Sequence, residues 1–184
     1  MKMESEAARC ERACGKGSLV LQPLAATDGE DVYSMLQGID QNENGFENPV
    51  QGMPREDYAA WLVRYEAYSR GENMPDWMVP ETIYWLMDGD TPVGCGHLRH
   101  MLNDALREGS GHIGYAIAKP FRGKGYGNAI LALLLQEARK IGIERVQVRA
   151  NTDNERSNKV IRANGGVMYR EKEGKNYYHI DLDV

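Results

Sequence analysis

Cysteines, long apolar runs and clustered basic residues are all scarce in this sequence, and each scarcity argues against a class of protein. The 184 residues include three cysteines, Cys10, Cys14 and Cys95, an odd number without the spacing of a disulfide framework. Cys10 and Cys14 have no second Cys or His pair at matching spacing, so the sequence favours reduced thiols over a metal site. No stretch approaches the roughly 18 apolar residues that a membrane helix needs, and we expect no membrane partner.

The charge balance argues against a nucleic-acid partner. The chain has 22 Lys and Arg residues against 27 Asp and Glu residues, a formal net charge of −5, whereas nucleic-acid-binding proteins concentrate basic residues on one face. A mildly acidic surface is compatible with a cationic substrate such as an amine. Residues 1–17 have no apolar run of the secretory type, and we expect them to be disordered in a cytoplasmic protein. Residues 18–184 have the length and composition of one globular domain.

Hydrophobic periodicity predicts an α/β domain. Strands are predicted over 19–21, 82–87, 92–98, 112–118, 146–150, 167–171 and 176–182, and helices over 28–36, 54–70, 126–141 and 154–163. Thr27 or Asp28 is the predicted N-cap of the first helix. The fourth strand, the helix at 126–141 and the fifth strand form a βαβ crossover, whose two strands we expect to be parallel.

A glycine-rich turn lies between the fourth strand and the long helix, with the sequence Arg122-Gly123-Lys124-Gly125-Tyr126-Gly127 followed by Asn128. Closely spaced glycines permit positive φ and close approach of a ligand. The first turn of the helix presents N–H groups and the positive end of its dipole to an anion, and Arg122 and Lys124 add positive charge. The turn therefore predicts a phosphate site.

Two common phosphate-binding patterns do not fit this turn. A dinucleotide fingerprint fails because Asn128 or Ile130 stands where its third glycine belongs, and a nucleoside-triphosphate loop fails because Gly125 follows Lys124. Arg-Gly-x-Gly-x-Gly after a strand resembles instead the diphosphate-binding signature of the GNAT acetyltransferase superfamily. The similarity continues through Asn154-Glu155-Arg156-Ser157 and Gly165-Gly166, and it extends to a group of bacterial predicted acetyltransferases of unassigned substrate.

This resemblance implies a fold, a reaction and a binding site. The fold is the GNAT fold, a mixed, mostly antiparallel sheet of six to seven strands with a central βαβ crossover, flanking helices and a splay between the fourth and fifth strands. The reaction is transfer of an acetyl group from acetyl-CoA to a primary amine of a small molecule or peptide, by direct attack on the thioester. The implied cofactor-binding residues are Tyr115, Ala116, Ile117, Arg122, Gly123, Lys124, Gly125, Tyr126, Gly127, Asn128, Asn154 and Ser157.

The catalytic groups are less well defined by the resemblance. Many GNAT enzymes carry a tyrosine acid seven residues after the motif's Asn, where this chain has Ile161, and some carry Glu where Gln147 stands. His112 and Tyr115 are the candidate catalytic residues, with His97 as a further candidate beside His100. If His112 accepts the amine proton, the rate should follow an ionisation near 6.5. The alternative is that His112 is a hydrogen-bonded structural residue of the sheet.

The acceptor side has the least distinctive sequence. We expect the amine to enter over the Asn-rich loop at 41–53, with Trp61, Tyr65 and Trp85 either as walls of the site or as core residues, since large aromatics usually pack in cores. A non-catalytic acyl-CoA-binding regulatory module and an enzyme with a macromolecular acceptor are alternative hypotheses. The protein is expected to be a monomer or a homodimer.

Overall fold

The computed structural model describes residues 19–182, in which the main sheet has seven strands ordered β1-β4-β5-β6-β7-β9-β8. The strands are β1 (Leu19–Pro23), β2 (Asn42–Glu43), β3 (Phe46–Glu47), β4 (Glu81–Asp88), β5 (Thr91–Arg99), β6 (Ile113–Ile117), β7 (Arg145–Asn151), β8 (Val167–Lys172) and β9 (Lys175–Asp181). The helices are α1 (Glu30–Gln37), α2 (Arg55–Ser69), α3 (Asp104–Glu108), α4 (Tyr126–Lys140) and α5 (Glu155–Ala163). The predicted disorder at 1–17 lies outside the described residues, so it stays a prediction, as does the single-domain boundary.

The sheet is mixed, as the sequence predicted. Its neighbouring strands are antiparallel except β6 and β7, which run parallel and share one residue pair, Ile113 with Val148. Helix α4 connects these two strands, so the predicted βαβ crossover is confirmed. Strands β2 and β3 form a separate hairpin in the loop between α1 and α2.

Two apolar cores lie on opposite faces of the sheet. On one face, α4 and α5 pack on the sheet through buried residues that include Ile130, Leu134 and Ile161. On the other face, α1 and α2 pack through a second cluster that includes Leu36 and Trp61. Because side chains alternate along each strand, β4, β5 and β6 supply residues to both cores, whereas the core residues of β7 and β9 belong to the first.

Three local predictions need correction. The first helix begins at Glu30 with Gly29 as its N-cap, because the Asp28 carboxylate instead accepts hydrogen bonds from the backbone N–H of Ala25 and from Nε1 of Trp85. Ile141, predicted as the last residue of the helix at 126–141, follows α4 and is 46% exposed. The β2–β3 hairpin was not predicted.

A buried asparagine ties α5 to the sheet. The side-chain amide of Asn158 donates to the carbonyl oxygens of Asn151, at the end of β7, and Asn154, both at 2.8 Å. Its Oδ1 accepts from Nδ2 of Asn176 at 3.0 Å and from the hydroxyl of Tyr178 at 2.6 Å, both on β9. The start of α5 is thus positioned by hydrogen bonds that an apolar side chain cannot replace.

We expect Asn158→Leu to lower the free energy of unfolding by roughly 2–4 kcal/mol, because it leaves several buried polar groups without partners. Tyr178→Phe removes one of these bonds and should cost about 1 kcal/mol. Urea unfolding measures both changes. The exposed Lys159→Ala in the same helix is the control, and equal midpoints for Asn158→Leu and this control would contradict the role of the network.

Candidate active site

A deep cleft opens where β6 and β7 diverge. After Ile113, the residues of β6 pair with β5 but have no partner on β7 within the described chain. The cleft has a volume of about 1670 Å³. Most of the residues predicted to hold a cofactor lie on its walls: Tyr115, Ala116, Ile117, Arg122, Gly123, Gly125, Tyr126, Gly127, Asn128, Asn154 and Ser157. The predicted splay is therefore present at the expected place.

The glycine turn forms one end of the cleft. Gly123 and Gly125 have φ of +79° and +87°, and Gly125 is the N-cap of α4. Only glycine adopts such angles without strain. Gly127 lies inside α4, where an added Cβ would be 3.5 Å from Val160 of α5. Two of the glycines therefore shape the turn, and the third allows close packing of the two helices.

The basic residues of the turn already have partners. The guanidinium of Arg122 forms a bidentate pair with the Glu43 carboxylate of β2 at 2.6 and 3.0 Å, and its Nε donates to the carbonyl of Ile117 at 2.9 Å. Lys124 lies with its ammonium 5.7 Å from the centre of the Phe121 ring and is not on the wall of the cleft. The positive charge predicted at the turn is thus partly compensated by Glu43.

Other basic residues, which the sequence analysis missed, line the cleft. Arg149 comes from β7, Arg156 from α5 and Lys175 from the start of β9. They are far apart in the sequence, and the crossover and the last hairpin bring them to one opening. A phosphate-bearing ligand would therefore meet cations from three elements besides the N-terminus of α4.

Tyr115 points from β6 toward α5. Its hydroxyl lies 3.1 Å from Oγ of Ser157, whose backbone N–H donates to the side chain of Asn154. This bond confirms Asn154 as the N-cap of α5. Burial raises the pKa of Tyr115 to about 12, so its hydroxyl keeps its proton at neutral pH. Tyr115 thus presents a protonated hydroxyl on the wall of the cleft.

The two other positions considered for an acid cannot serve as one. Ile161, where many GNAT enzymes carry tyrosine, is fully buried in the core under α4 and α5. Tyr126 is also buried, and its hydroxyl donates to the carboxylate of Asp88 at 2.5 Å. Tyr126 packs, as the sequence suggested, although it also lines the cleft.

His112 lies at the closed end of the splay rather than on its wall. The ring Nδ1 of His112 accepts a hydrogen bond from the backbone N–H of Gln147 at 2.9 Å. The backbone N–H of His112 donates to the Gln147 carbonyl oxygen at 2.8 Å. Burial, together with the charges of Arg107 and Arg99, lowers the pKa of His112 to about 4. The expected ionisation near 6.5 is therefore wrong for this residue, and its contacts favour the structural alternative.

A charged cluster at the ends of β4 and β5 faces the cleft. The carboxylate of Glu81 is buried and accepts from Nδ1 of His97 at 2.9 Å, and it pairs with Nε of Arg99 at 3.1 Å. Burial raises the pKa of Glu81, but His97 and Arg99 outweigh it and hold that pKa at about 2. All three residues line the cleft. His100, in contrast, bonds to Thr82 and is not on its wall.

The aromatic residues proposed as acceptor walls divide between core and cleft. Trp61 and Trp85 are buried in the core beneath α1 and α2, whereas Tyr65 lines the cleft. Trp77, which the sequence analysis did not single out, also lines it and is 74% exposed. Phe46 of the β2–β3 hairpin packs over β6, 3.6 Å from the position of a Cβ on Gly114.

The residues that the structure describes hold neither a metal-binding cluster nor a membrane-spanning helix. No group of three or more His, Cys, Asp or Glu side chains in residues 19–182 is arranged to hold a metal ion. None of the helices in that range is long and apolar enough to cross a membrane.

Comparison with known proteins identifies relatives of the chain. Residues 18–167 match the family model described as the acetyltransferase (GNAT) domain. No curated protein matches the chain significantly. The crystal structure of the GNAT domain of S. lividans PAT superposes with a TM-score of 0.64 at 16% identity, covering 90% of this chain and 92% of that one.

Two further structures have similar scores. Microcin C7 self-immunity acetyltransferase MccE, in complex with acetyl-CoA and AMP, has a TM-score of 0.64 at 17% identity, with 89% of this chain and 92% of that one covered. A Salmonella typhimurium acetyltransferase that modifies the N-terminal serine of ribosomal protein L7/L12 has a TM-score of 0.62 at 15% identity, with 90% and 96% covered. At these identities the likeness establishes the fold, which is the GNAT fold expected from the sequence.

The lowered pKa of His112 predicts a pH dependence of stability. An unfolded histidine titrates near 6.5 and the folded His112 near 4. Between these values the unfolded chain binds more protons, so stability is complete above about 6.5 and falls as the pH drops toward 4. In His112→Gln the free energy of unfolding should fall less between pH 7 and 4.5 than in the wild type, by on the order of 1–2 kcal/mol after solvent screening. Urea unfolding at pH 7 and 4.5 measures it, and equal losses in both proteins would contradict the assignment.

Proposed function

The chain belongs to the GNAT acetyltransferase family, and from that premise we propose that it transfers an acetyl group from acetyl-CoA to a primary amine of a small molecule or peptide. The observation that carries the proposal is the splay between β6 and β7, which opens directly onto the glycine turn at the N-terminus of α4. Related folds support it: MccE was crystallised with acetyl-CoA, and the Salmonella enzyme modifies a peptide N-terminus.

The residues of the cleft fit the chemical parts of acetyl-CoA. Its diphosphate requires N–H donors, which the glycine turn and the first turn of α4 supply, and positive charge, which Arg149 and Arg156 add from other walls of the cleft. Its amide-bearing arm requires an extended partner, and the edge of β6 from Tyr115 to Ile117 has no partner on β7 within the described chain. When bound, acetyl-CoA supplies the thioester that an amine attacks.

Tyr115 is the proposed acid for the departing thiolate. Its raised pKa keeps the hydroxyl protonated, and the hydrogen bond with Ser157 fixes its position on the wall of the cleft. The position in α5 where many relatives carry the tyrosine acid is Ile161 in this chain, and it is buried in the core. A donor that holds its proton until charge develops on sulfur lowers the barrier to C–S cleavage.

The glycine turn gives a test of cofactor binding. Acetyl-CoA should raise the melting temperature, because a ligand that binds only the folded state stabilises it. Gly125→Val should abolish this shift, since a β-branched residue is strained at φ of +87° and would obstruct the turn. Gly142→Val is the control, because Gly142 follows the other end of α4 at φ of +80° and also has open space around it.

Gly142→Val should lose similar stability yet keep the shift. A shift lost in both variants would indicate that backbone strain alone explains the effect. A shift produced by NADH or ATP, with none by acetyl-CoA, would overturn the cofactor assignment.

Tyr115→Phe tests the proposed acid. We expect kcat to fall by roughly 10²-fold, the lower end of the range for a lost general acid, with little change in the acetyl-CoA thermal shift. Tyr126→Phe is the matched control, because its hydroxyl bonds to Asp88 and its loss should change kcat by less than about threefold. Equal kcat values for Tyr115→Phe and the wild type would remove Tyr115 from the mechanism.

The acceptor is identified by a screen of amines and short peptides with free N-termini, in which release of free thiol from acetyl-CoA is measured. Thiol release with at least one amine supports the proposed transfer. A rise of the melting temperature with acetyl-CoA, without thiol release for any amine or peptide, would favour the acyl-CoA-binding module instead.

A further inference from the structure

The imidazole of His97 has the arrangement of a general base. Its Nδ1 lies 2.9 Å from the buried carboxylate of Glu81, which accepts a hydrogen bond from the Nδ1–H group. The basic nitrogen of the neutral ring is then Nε2. No hydrogen bond to Nε2 is found among residues 19–182. The ring lines the cleft with its edge toward Phe46, the two centroids 5.1 Å apart.

Strand β6 lies between His97 and the splay and carries Gly114, which has no side chain, opposite His97. Phe46 packs over Gly114 and contacts the imidazole, and all three residues line the cleft. Gly114 shares its face of the sheet with Ala116, which packs on the core of α1 and α2, whereas Tyr115 faces α5. His97 therefore faces the acceptor loop, and Tyr115 faces the proposed cofactor side.

We propose that His97, oriented by Glu81, is the general base that deprotonates the acceptor amine. The inference rests on the proposed acetyl transfer and adds a residue to it. Nε2 takes a proton from the alkylammonium and passes it to solvent, and the neutral amine nitrogen then attacks the thioester carbon. As the C–N bond forms and the C–S bond breaks, the second amine proton leaves through Nε2 to solvent and the thiolate takes a proton from Tyr115, which regains one from solvent. The products are the amide and the free thiol of CoA.

Several charged or titratable groups surround this pair and influence its protonation. Arg99, on the same strand as His97, contacts the second carboxylate oxygen of Glu81. Tyr65 of α2 and the buried thiol of Cys95 both lie within the electrostatic influence of Glu81, as does His100. The hairpin contributes the uncharged Phe46. Glu81 is thus the carboxylate bonded to the imidazole, and Arg99 offsets part of its charge.

The first measurement needs no acceptor. Nitrogen NMR of labelled histidines, in the protein mixed with acetyl-CoA, reports the tautomer of each ring, and His97→Gln assigns the signal. The expected neutral form carries its proton on Nδ1 and has a bare Nε2. In Glu81→Gln the preference for a proton on Nδ1 should weaken, because the carboxylate that accepts its hydrogen bond is lost. A neutral ring with its proton on Nε2 in the wild type, or an unchanged tautomer preference in Glu81→Gln, would overturn the inference.

The second measurement is kinetic and uses an amine found in the thiol-release screen. His97→Ala should lower kcat/KM by roughly 10²- to 10⁴-fold, remove the rise of rate with pH, and leave the acetyl-CoA thermal shift intact. Added imidazole should restore at least tenfold of the lost rate, an effect that a purely structural residue would not show. His100→Gln, a histidine bonded to Thr82 outside the cleft, should retain the wild-type pH profile.

The outcomes separate the two proposals. If the wild type neither binds acetyl-CoA nor releases thiol, the proposed function fails, and the tautomer measurement alone decides whether the His97–Glu81 pair exists as described. If the wild type is active and His97→Ala keeps both its rate and its pH profile, the base assignment fails while the acetyl transfer stands. If His97→Ala melts below the assay temperature, Glu81→Gln is measured in its place. It should lower kcat/KM with the acetyl-CoA thermal shift intact, and a wild-type rate would overturn the base assignment.

Discussion

The geometry of the cleft depends on a single contact between parallel strands. Strands β6 and β7 share the pair Ile113 with Val148, and the strands separate beyond it. The contact is reinforced on its closed side, where His112 and Gln147 exchange two hydrogen bonds, one to a backbone carbonyl and one to the imidazole. A ring nitrogen thus takes the place of a carbonyl acceptor at the closed end of the splay, where it satisfies the N–H of Gln147. The splay begins on the other side of the Ile113–Val148 pair, where β6 has no partner on β7 within the described chain.

The opening stays stable because each divergent strand keeps another partner. Strand β6 is bonded to β5 along its length, and β7 is bonded to β9 through seven residue pairs, so neither becomes an isolated edge. Helix α4 crosses behind both strands, and Asn158 holds α5 against β7 and β9. The loss of pairing between β6 and β7 therefore costs little elsewhere, and the backbone groups left on β6 are available to a ligand.

Features encoded by neighbouring residues could be predicted from the sequence, whereas features that depend on strand register could not. The crossover and the glycine turn are each encoded by contiguous residues. The β2–β3 hairpin was also encoded locally, because Asn44 and Gly45, which both have positive φ, are a typical hairpin turn. The contact between Glu81 and His97 could not be predicted in this way. Counted from the turn after β4 without a bulge, Glu81 would face Leu98, but the register shifts near Leu86 and places it opposite Arg99. One extra residue thus moves Glu81 to the face of His97.

The same alternation separates the two proton transfers. On β6, Gly114 faces the acceptor loop and the next residue, Tyr115, faces α5. Tyr115 and His97 lie on opposite faces of the sheet, and a ligand in the splay is placed to meet both. In the proposed mechanism the proton on Tyr115 therefore reaches the thiolate and the base on His97 reaches the amine, because the opening between β6 and β7 is where the two faces of the sheet meet.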